Sequence, residues 1–224
     1  MTYEALPQEM KNEFTQQYWN MLQKKRATLA VKRAVDIIAS FVILLIFSPV
    51  LLILALAIKL DSPGPVFYRQ VRVGRYNRDF KIYKFRTMVQ DADKIGPAVT
   101  TGEDKRITRV GKLIRRCRLD EFSQLINVLN GTMSLVGPRP EVRRYVNAYS
   151  PEGMATLLIR PGITAPSSIA FKDEDRLLVA DADPDKIYIE RILPPKTQLN
   201  LEYLRNISVL GDIKIMFQTI AAVL

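Results

Sequence analysis

The chain has 224 residues, room for one membrane element and one globular domain, and with 25% charged and 48% hydrophobic residues it is not a disordered chain. A formal charge of +10 calls for an anionic partner: nucleic acid, anionic lipid or a phosphorylated substrate. One cysteine, Cys117, excludes an internal disulfide, and the lack of histidine excludes zinc, so any metal would be oxygen-liganded, most naturally magnesium.

Residues 1–31 read as an N-terminal amphipathic and basic segment, with Phe14, Tyr18, Met21 and Leu22 at helical spacing. Its basic end suits a leaflet of anionic lipid. From Ile37 to Ile58 come 22 residues without a charge, placed too late in the chain for a secretion-signal core. A straight helix of that length reaches about 33 Å, against roughly 30 Å of bilayer hydrocarbon. Ser48-Pro49 interrupts the run. Pro49 has no amide hydrogen for the carbonyl of Leu45, so a kink is expected, and Ser48 can offer its hydroxyl to a freed carbonyl. Lys24, Lys25, Arg26, Lys32 and Arg33 precede the run; Lys59, Arg69, Arg72, Arg75 and Arg78 follow it. Basic flanks favour the cytoplasmic side, so a re-entrant hairpin over 32–60 satisfies both ends. A kinked ordinary span stays open on these residues alone.

Asp61-Ser62-Pro63-Gly64-Pro65 is a helix stop and turn. Val66 to Val73 and Asp79 to Thr87 read as two strands joined around Gly74 to Asn77. Residues 89–105 are polar and expected as a loop. Arg109 to Asn130 reads as one helix, with an apolar side from Leu113 to Leu129 and Gly131 as its stop. Gly137-Pro138-Arg139-Pro140 is a stiff loop, Pro161-Gly162 a turn and Asp181 to Asp185 a polar break. Lys196 to Asn206 and Asp212 to Leu224 read as closing helices, the last with Ile213, Met216, Phe217, Ile220 and Leu224 on one side, for core packing or a membrane interface.

Asp120-Glu121 stands out among the polar residues, set among Arg109, Lys112, Arg115, Arg116 and Arg118. Nearby cations lower carboxylate pKa values and are expected to keep both groups ionised. Such carboxylates can attack phosphorus or hold magnesium. An exposed helix with i, i+4 pairs such as Arg116 with Asp120 explains the same residues, and the choice stays open on spacing alone. Lys84 and Arg86 at a strand end, Arg115, Arg116 and Arg118 on the helix, and Arg139 with its fork held by a rigid loop could form an anion site, or simply a solvated or lipid-facing basic surface. Gly111-Lys112 has the wrong spacing and is followed by Leu113, which excludes a P-loop; no dinucleotide fingerprint or nucleic-acid motif is present.

Five stretches taken together resemble one family: Lys32-Arg33-Ala34-Val35-Asp36 before the Ser-Pro run, DSPGPVFYRQVRVG (61–74), KIYKFRTM (81–88), RLDEFSQLINVLNGTMSLVGPRPE (118–141) and RPGIT (160–164). They are similar to the bacterial sugar transferases that start lipid-linked glycan assembly, the monotopic polyprenyl-phosphate phosphoglycosyl transferases, in their minimal catalytic form. The resemblance implies an α+β, mainly helical fold, with a re-entrant membrane helix broken at Ser48-Pro49. Residues 61–224 would form a compact cytoplasmic catalytic domain, with a short β-hairpin and interfacial helices.

It also implies that Asp120 attacks the β-phosphate of a UDP-sugar, that Glu121, with Asp120 beside it, holds Mg2+, and that Lys84, Arg86, Arg115, Arg139 and Pro140 bind substrate. Polyprenyl phosphate would accept the phosphosugar at the cytoplasmic leaflet of the bacterial inner membrane. No nucleic acid is implied, and a homodimer is compatible. A non-enzymatic scaffold for anionic lipids is the alternative. Residues 165–172 depart from the pattern of many relatives, so 165–195 receive no site residues. Ser123, where many members have proline, is expected to matter little.

Overall fold

The computed structural model describes residues 2–92, 104–172 and 184–223. Most of the polar loop expected over 89–105 and of the break at Asp181–Asp185 lies outside the described residues. The fold is mainly helical, with two small two-stranded sheets.

Helix α1, Glu13–Lys24, begins at Asn12, whose side chain accepts Thr15 N at 2.9 Å. Tyr18, Trp19 and Leu22 are buried in the main core with Leu158, Leu201 and Leu204, so this segment packs into the domain; Phe14 stays exposed.

Helix α2, Arg26–Asp61, follows at once and runs for 36 residues with Pro49 inside it. It is long and apolar enough to cross a membrane, and little of its apolar stretch is buried. Leu45 O, denied a backbone donor by Pro49, receives Ser48 Oγ at 2.8 Å. The expected break is therefore a substituted hydrogen bond within one continuous helix, not a turn between two. Both ends of α2 are tied to the same domain. Near its start, Lys32 and Asp36 are buried: Lys32 Nζ lies 2.5 Å from Asp212 Oδ2, and Asp36 accepts Ser134 Oγ at 2.7 Å and Leu135 N at 3.2 Å. Arg33 donates to Val128 O at 2.7 Å. At the far end, Arg86 and the first turn of the next helix take over. Lys32, Arg33 and Arg72, read as membrane-flanking charges, thus have partners inside the fold.

Strands β1, Phe67–Val73, and β2, Asp79–Phe85, pair antiparallel, Phe67 opposite Phe85 and Val73 opposite Asp79. The turn between them holds Tyr76 and Asn77 at positive φ. The helix expected from Arg109 to Asn130 is two helices. Helix α3, Arg109–Arg116, stops at Cys117; Arg118 turns left-handed at φ 53°; Leu119–Glu121 form one 3-10 turn; and α4 spans Gln124–Leu129. Apolar spacing continues across this break, but the left-handed Arg118 redirects the chain at the carboxylate pair. Gly131, at φ 82°, ends α4 as expected.

Strands β3, Ser134–Val136, and β4, Gly162–Thr164, form a parallel pair that no alternation in the sequence announced. Helices α5, Leu193–Arg205, and α6, Val209–Val223, close the fold. On α6, Met216 packs against the core, while Leu210, Phe217 and Ile220 are exposed.

Candidate active site

Asp120 and Glu121 sit in the turn between α3 and α4, and β2 fixes that turn from one side. Asn127 in α4 acts as a surrogate strand: its Oδ1 accepts Tyr83 N at 2.9 Å and its Nδ2 donates to Lys81 O at 2.9 Å. Buried Ser123 Oγ reaches Tyr83 O at 3.1 Å and Asp120 O at 3.3 Å. A proline there would remove that hydroxyl, so the serine has a positional consequence after all.

Because the turn is locked onto β2, Lys84 meets Glu121, Nζ to Oε1 at 3.1 Å. Arg139 comes from the opposite side, Nη2 to Oε1 at 2.7 Å and Nη1 to Oε2 at 3.3 Å. The loop that delivers it is pinned by the Pro-Gly-Ile-Thr stretch. Gly137 N donates to Thr164 O, and Gly162 N to Pro138 O, both at 3.0 Å. A Cβ on Gly162 would lie 2.1 Å from Gly137 N, so the two motifs require glycine to approach this closely. Pro140 contributes its carbonyl, which accepts Arg72 Nη1 at 3.2 Å. It is a support for the loop.

The two carboxyls are driven apart. Burial pushes Glu121 up, but Arg139 and then Lys84 outweigh burial and hold it well below the usual range. Burial, and then the charge of Glu121, raise Asp120 above its ordinary value, with Lys84 and Arg115 only partly offsetting them. The expectation that both are kept ionised by lowered pKa values therefore holds for Glu121 and reverses in sign for Asp120. Arg115 donates Nε to Thr87 Oγ1 at 2.9 Å, and its terminal nitrogens make no hydrogen bond among the described residues, which suits them to an incoming phosphate.

Arg86 does not join this group. Its guanidinium donates to Pro63 O at 2.6 Å, Ser62 O at 2.7 Å and Ile58 O at 3.3 Å, and only 5% of the residue is exposed. It braces the end of α2. Asn127 and Asp61 are positional residues not singled out from the sequence. Asn127 falls inside an apolar helix pattern, and Asp61 inside an Asp-Ser-Pro-Gly-Pro turn motif.

No cluster of three or more His, Cys, Asp or Glu residues poised for a metal occurs among the described residues. Asp120 and Glu121 are the carboxylates that could hold a magnesium ion, which commonly takes one or two carboxylates and completes its shell with substrate phosphates and water.

A family model described as bacterial sugar transferase matches residues 27–224. The UDP-N-acetylgalactosamine-undecaprenyl-phosphate N-acetylgalactosaminephosphotransferase of Aeromonas hydrophila is 42% identical over 197 residues, covering 87% of this chain and 44% of that protein. The UDP-glucose:undecaprenyl-phosphate glucose-1-phosphate transferase of Escherichia coli K12 is 42% identical over 195 residues, covering 85% and 39%. The protein of the same name from Caulobacter vibrioides is 38% identical over 198 residues, covering 86% and 69%. The chain thus spans less than half the length of the first two relatives.

Proposed function

The chain belongs to the bacterial sugar transferase family, and we propose that it transfers a sugar 1-phosphate from a UDP-sugar to undecaprenyl phosphate, releasing UMP. This is the first membrane step of building a lipid-linked capsule, O-antigen or exopolysaccharide. The observation that carries the reading is the clamp of Lys84 and Arg139 on Glu121, directly beside Asp120, in a chain whose relatives act on these substrates.

An Asp120 carboxylate oxygen attacks the β-phosphorus. The bond to the oxygen bridging the α-phosphate breaks, and UMP leaves with that electron pair. The phosphosugar stays on Asp120 as an acyl phosphate. An oxygen of undecaprenyl phosphate then attacks the same phosphorus, and the Asp120 carboxylate departs unchanged. Arg139 and Lys84 neutralise Glu121 and present positive charge to the diphosphate, while Arg115 offers its free fork. Magnesium held by Glu121 and Asp120, when bound, would offset the diphosphate charge and polarise phosphorus.

The domain works at the cytoplasmic leaflet of the inner membrane, with α2 bent at Pro49 to enter and leave by one side. What supports this is the bonding of both ends of α2 to one domain: Lys32, Arg33 and Asp36 at the start, Ile58 and Asp61 at the end. Exposed Leu210, Phe217 and Ile220 on α6 suit the same surface.

Labelled UDP-sugar and magnesium without lipid acceptor test the reaction. UMP and label on the protein are expected, and Asp120→Asn should lose both. Full turnover in Asp120→Asn would remove the nucleophile from Asp120.

A further inference from the structure

The last residue of α2 and the first turn of α3 meet through one carboxylate: Asp61 Oδ2 accepts Val110 N at 2.9 Å. The first amides of any helix lack intrahelical acceptors, and Thr108 satisfies only Gly111 N, at 3.0 Å. Asp61 thus fastens the membrane helix to α3. Arg86, the residue after β2, fastens the same end, bonding the carbonyls of Ile58, Ser62 and Pro63. Gly64 makes this possible: it sits at φ +122°, and a Cβ there would fall 2.0 Å from Arg86 Nη1. The next residue completes the joint. Thr87 O accepts Thr108 N at 3.0 Å, Thr87 Oγ1 accepts Arg115 Nε, and a Cβ on Gly111 would lie 2.0 Å from Thr87 O. Leu54, Ile58, Phe85 and Ile114 fill the centre, with Leu119 packed against them, one residue before Asp120. Hydrogen bonds and apolar contacts thus run without interruption from the end of α2 to Leu119.

We propose that Asp61 and Arg86 are positioning residues that register Asp120 against the bilayer, setting the height at which it meets the membrane-borne acceptor. The proposal rests on the two-step reading above. In that reading the donor is soluble and can approach from any height. The acceptor's phosphate is held at the headgroup plane. A displacement of order 1 Å can slow a reaction by about a hundredfold, so only the second step demands a fixed height. Because α2 sets the depth, a joint between α2 and α3 transmits it.

The test uses the full chain carrying Asp61→Ala, Asp61→Asn or Arg86→Lys. UMP release without acceptor is compared with transfer to undecaprenyl phosphate, in lipid nanodiscs and in detergent micelles. Asp61→Ala should leave UMP release within about twofold of wild type and slow transfer in nanodiscs by about tenfold or more. The defect should shrink in micelles, where the acceptor's height can adjust. Asp61→Asn keeps an oxygen acceptor for Val110 N and should recover most of the loss; Arg86→Lys, with one nitrogen in place of a fork, should resemble Asp61→Ala. Equal loss of both steps, or equal defects in nanodiscs and micelles, overturns the proposal. If wild-type protein released no UMP without acceptor, the two-step reading would fall. The contrast in overall turnover between nanodiscs and micelles would still decide the role of Asp61.

Discussion

Arg139 and Glu121 form the tightest contact at the dyad, Nη2 to Oε1 at 2.7 Å, and it bears on Asp120 one residue earlier. With Lys84 on the same oxygen, Glu121 stays ionised, and its fixed negative charge is one of the causes that raise Asp120. A raised carboxylate is the better nucleophile of the two once ionised, since basicity and nucleophilicity rise together. The cost is paid at low pH, where Asp120 protonates first.

The acid limb of UMP release should therefore reflect a group above the ordinary aspartate value, the rate rising with pH as Asp120 loses its proton. Glu121→Gln removes a negative neighbour and leaves Lys84 and Arg139 closer in effect to Asp120. Its residual activity should show an acid limb shifted to lower pH. Lys84→Met removes a group that lowers Asp120 and should shift the limb the other way. Profiles of kcat/KM against pH for both variants check this; shifts of the same sign would contradict the assignment.

Much of this arrangement was legible where chemistry is local. Turn residues marked the β-hairpin, the stop after Asp61 and the end of α4 at Gly131, and each is found within a residue or two. The division of Arg109–Asn130 was not legible, because apolar spacing runs on across a backbone reversal that depends on one left-handed residue, Arg118. The bracing role of Arg86 was not legible for a different reason. An arginine at a strand end beside a cluster of cations reads as an anion ligand. Its actual partners are carbonyls 23 to 28 residues earlier, which only the folded chain brings within reach. The pairing of β3 with β4 is similarly non-local and is carried by two glycines.

Topology can be read by thiol labelling in a Cys117→Ser background, since Cys117 is exposed and would react. Single cysteines at positions 30 and 60 should both react with a membrane-impermeant reagent from the cytoplasmic side. Labelling from opposite sides would eliminate re-entry. Ser48→Ala removes the donor to Leu45 O and leaves that carbonyl unpaired. A loss of about 0.6–2 kcal/mol is expected, the usual range for a polar contact in hydrocarbon, measured by denaturation in detergent.

Two glycines with positive φ should differ in tolerance to alanine. At Gly64 the added Cβ meets Arg86 Nη1 at 2.0 Å and Gln90 Oε1 at 2.8 Å, whereas at Gly131 its nearest neighbour is Arg33 Nη2 at 3.6 Å. Gly131→Ala should cost about 1–2 kcal/mol for backbone conformation alone. Gly64→Ala adds displacement of the Arg86 guanidinium and should lower Tm further. Equal melting temperatures would mean that Arg86 moves aside freely.

Lys32 is the key cation of a buried cluster, with Asp212 at 2.5 Å and Asp36 at 3.7 Å. Tyr203 Oη donates to the other Asp212 oxygen at 2.7 Å. Lys32→Met strands two carboxylates and should cost about 3–5 kcal/mol, while Asp212→Asn leaves Lys32 still paired with Asp36 and should cost less. The pH dependence has a definite sign. Burial raises Asp212 above its unfolded value even with Lys32 present, so the folded state binds more protons and this group's contribution falls as pH rises. Without Lys32 the carboxyl rises further. Protonation then relieves the stranded charge, and the stability gap between Lys32→Met and wild type should narrow on lowering the pH from 7 to about 5. Denaturation at the two pH values measures the gap; widening at the lower pH would show that Lys32 does not stabilise the charged form of Asp212.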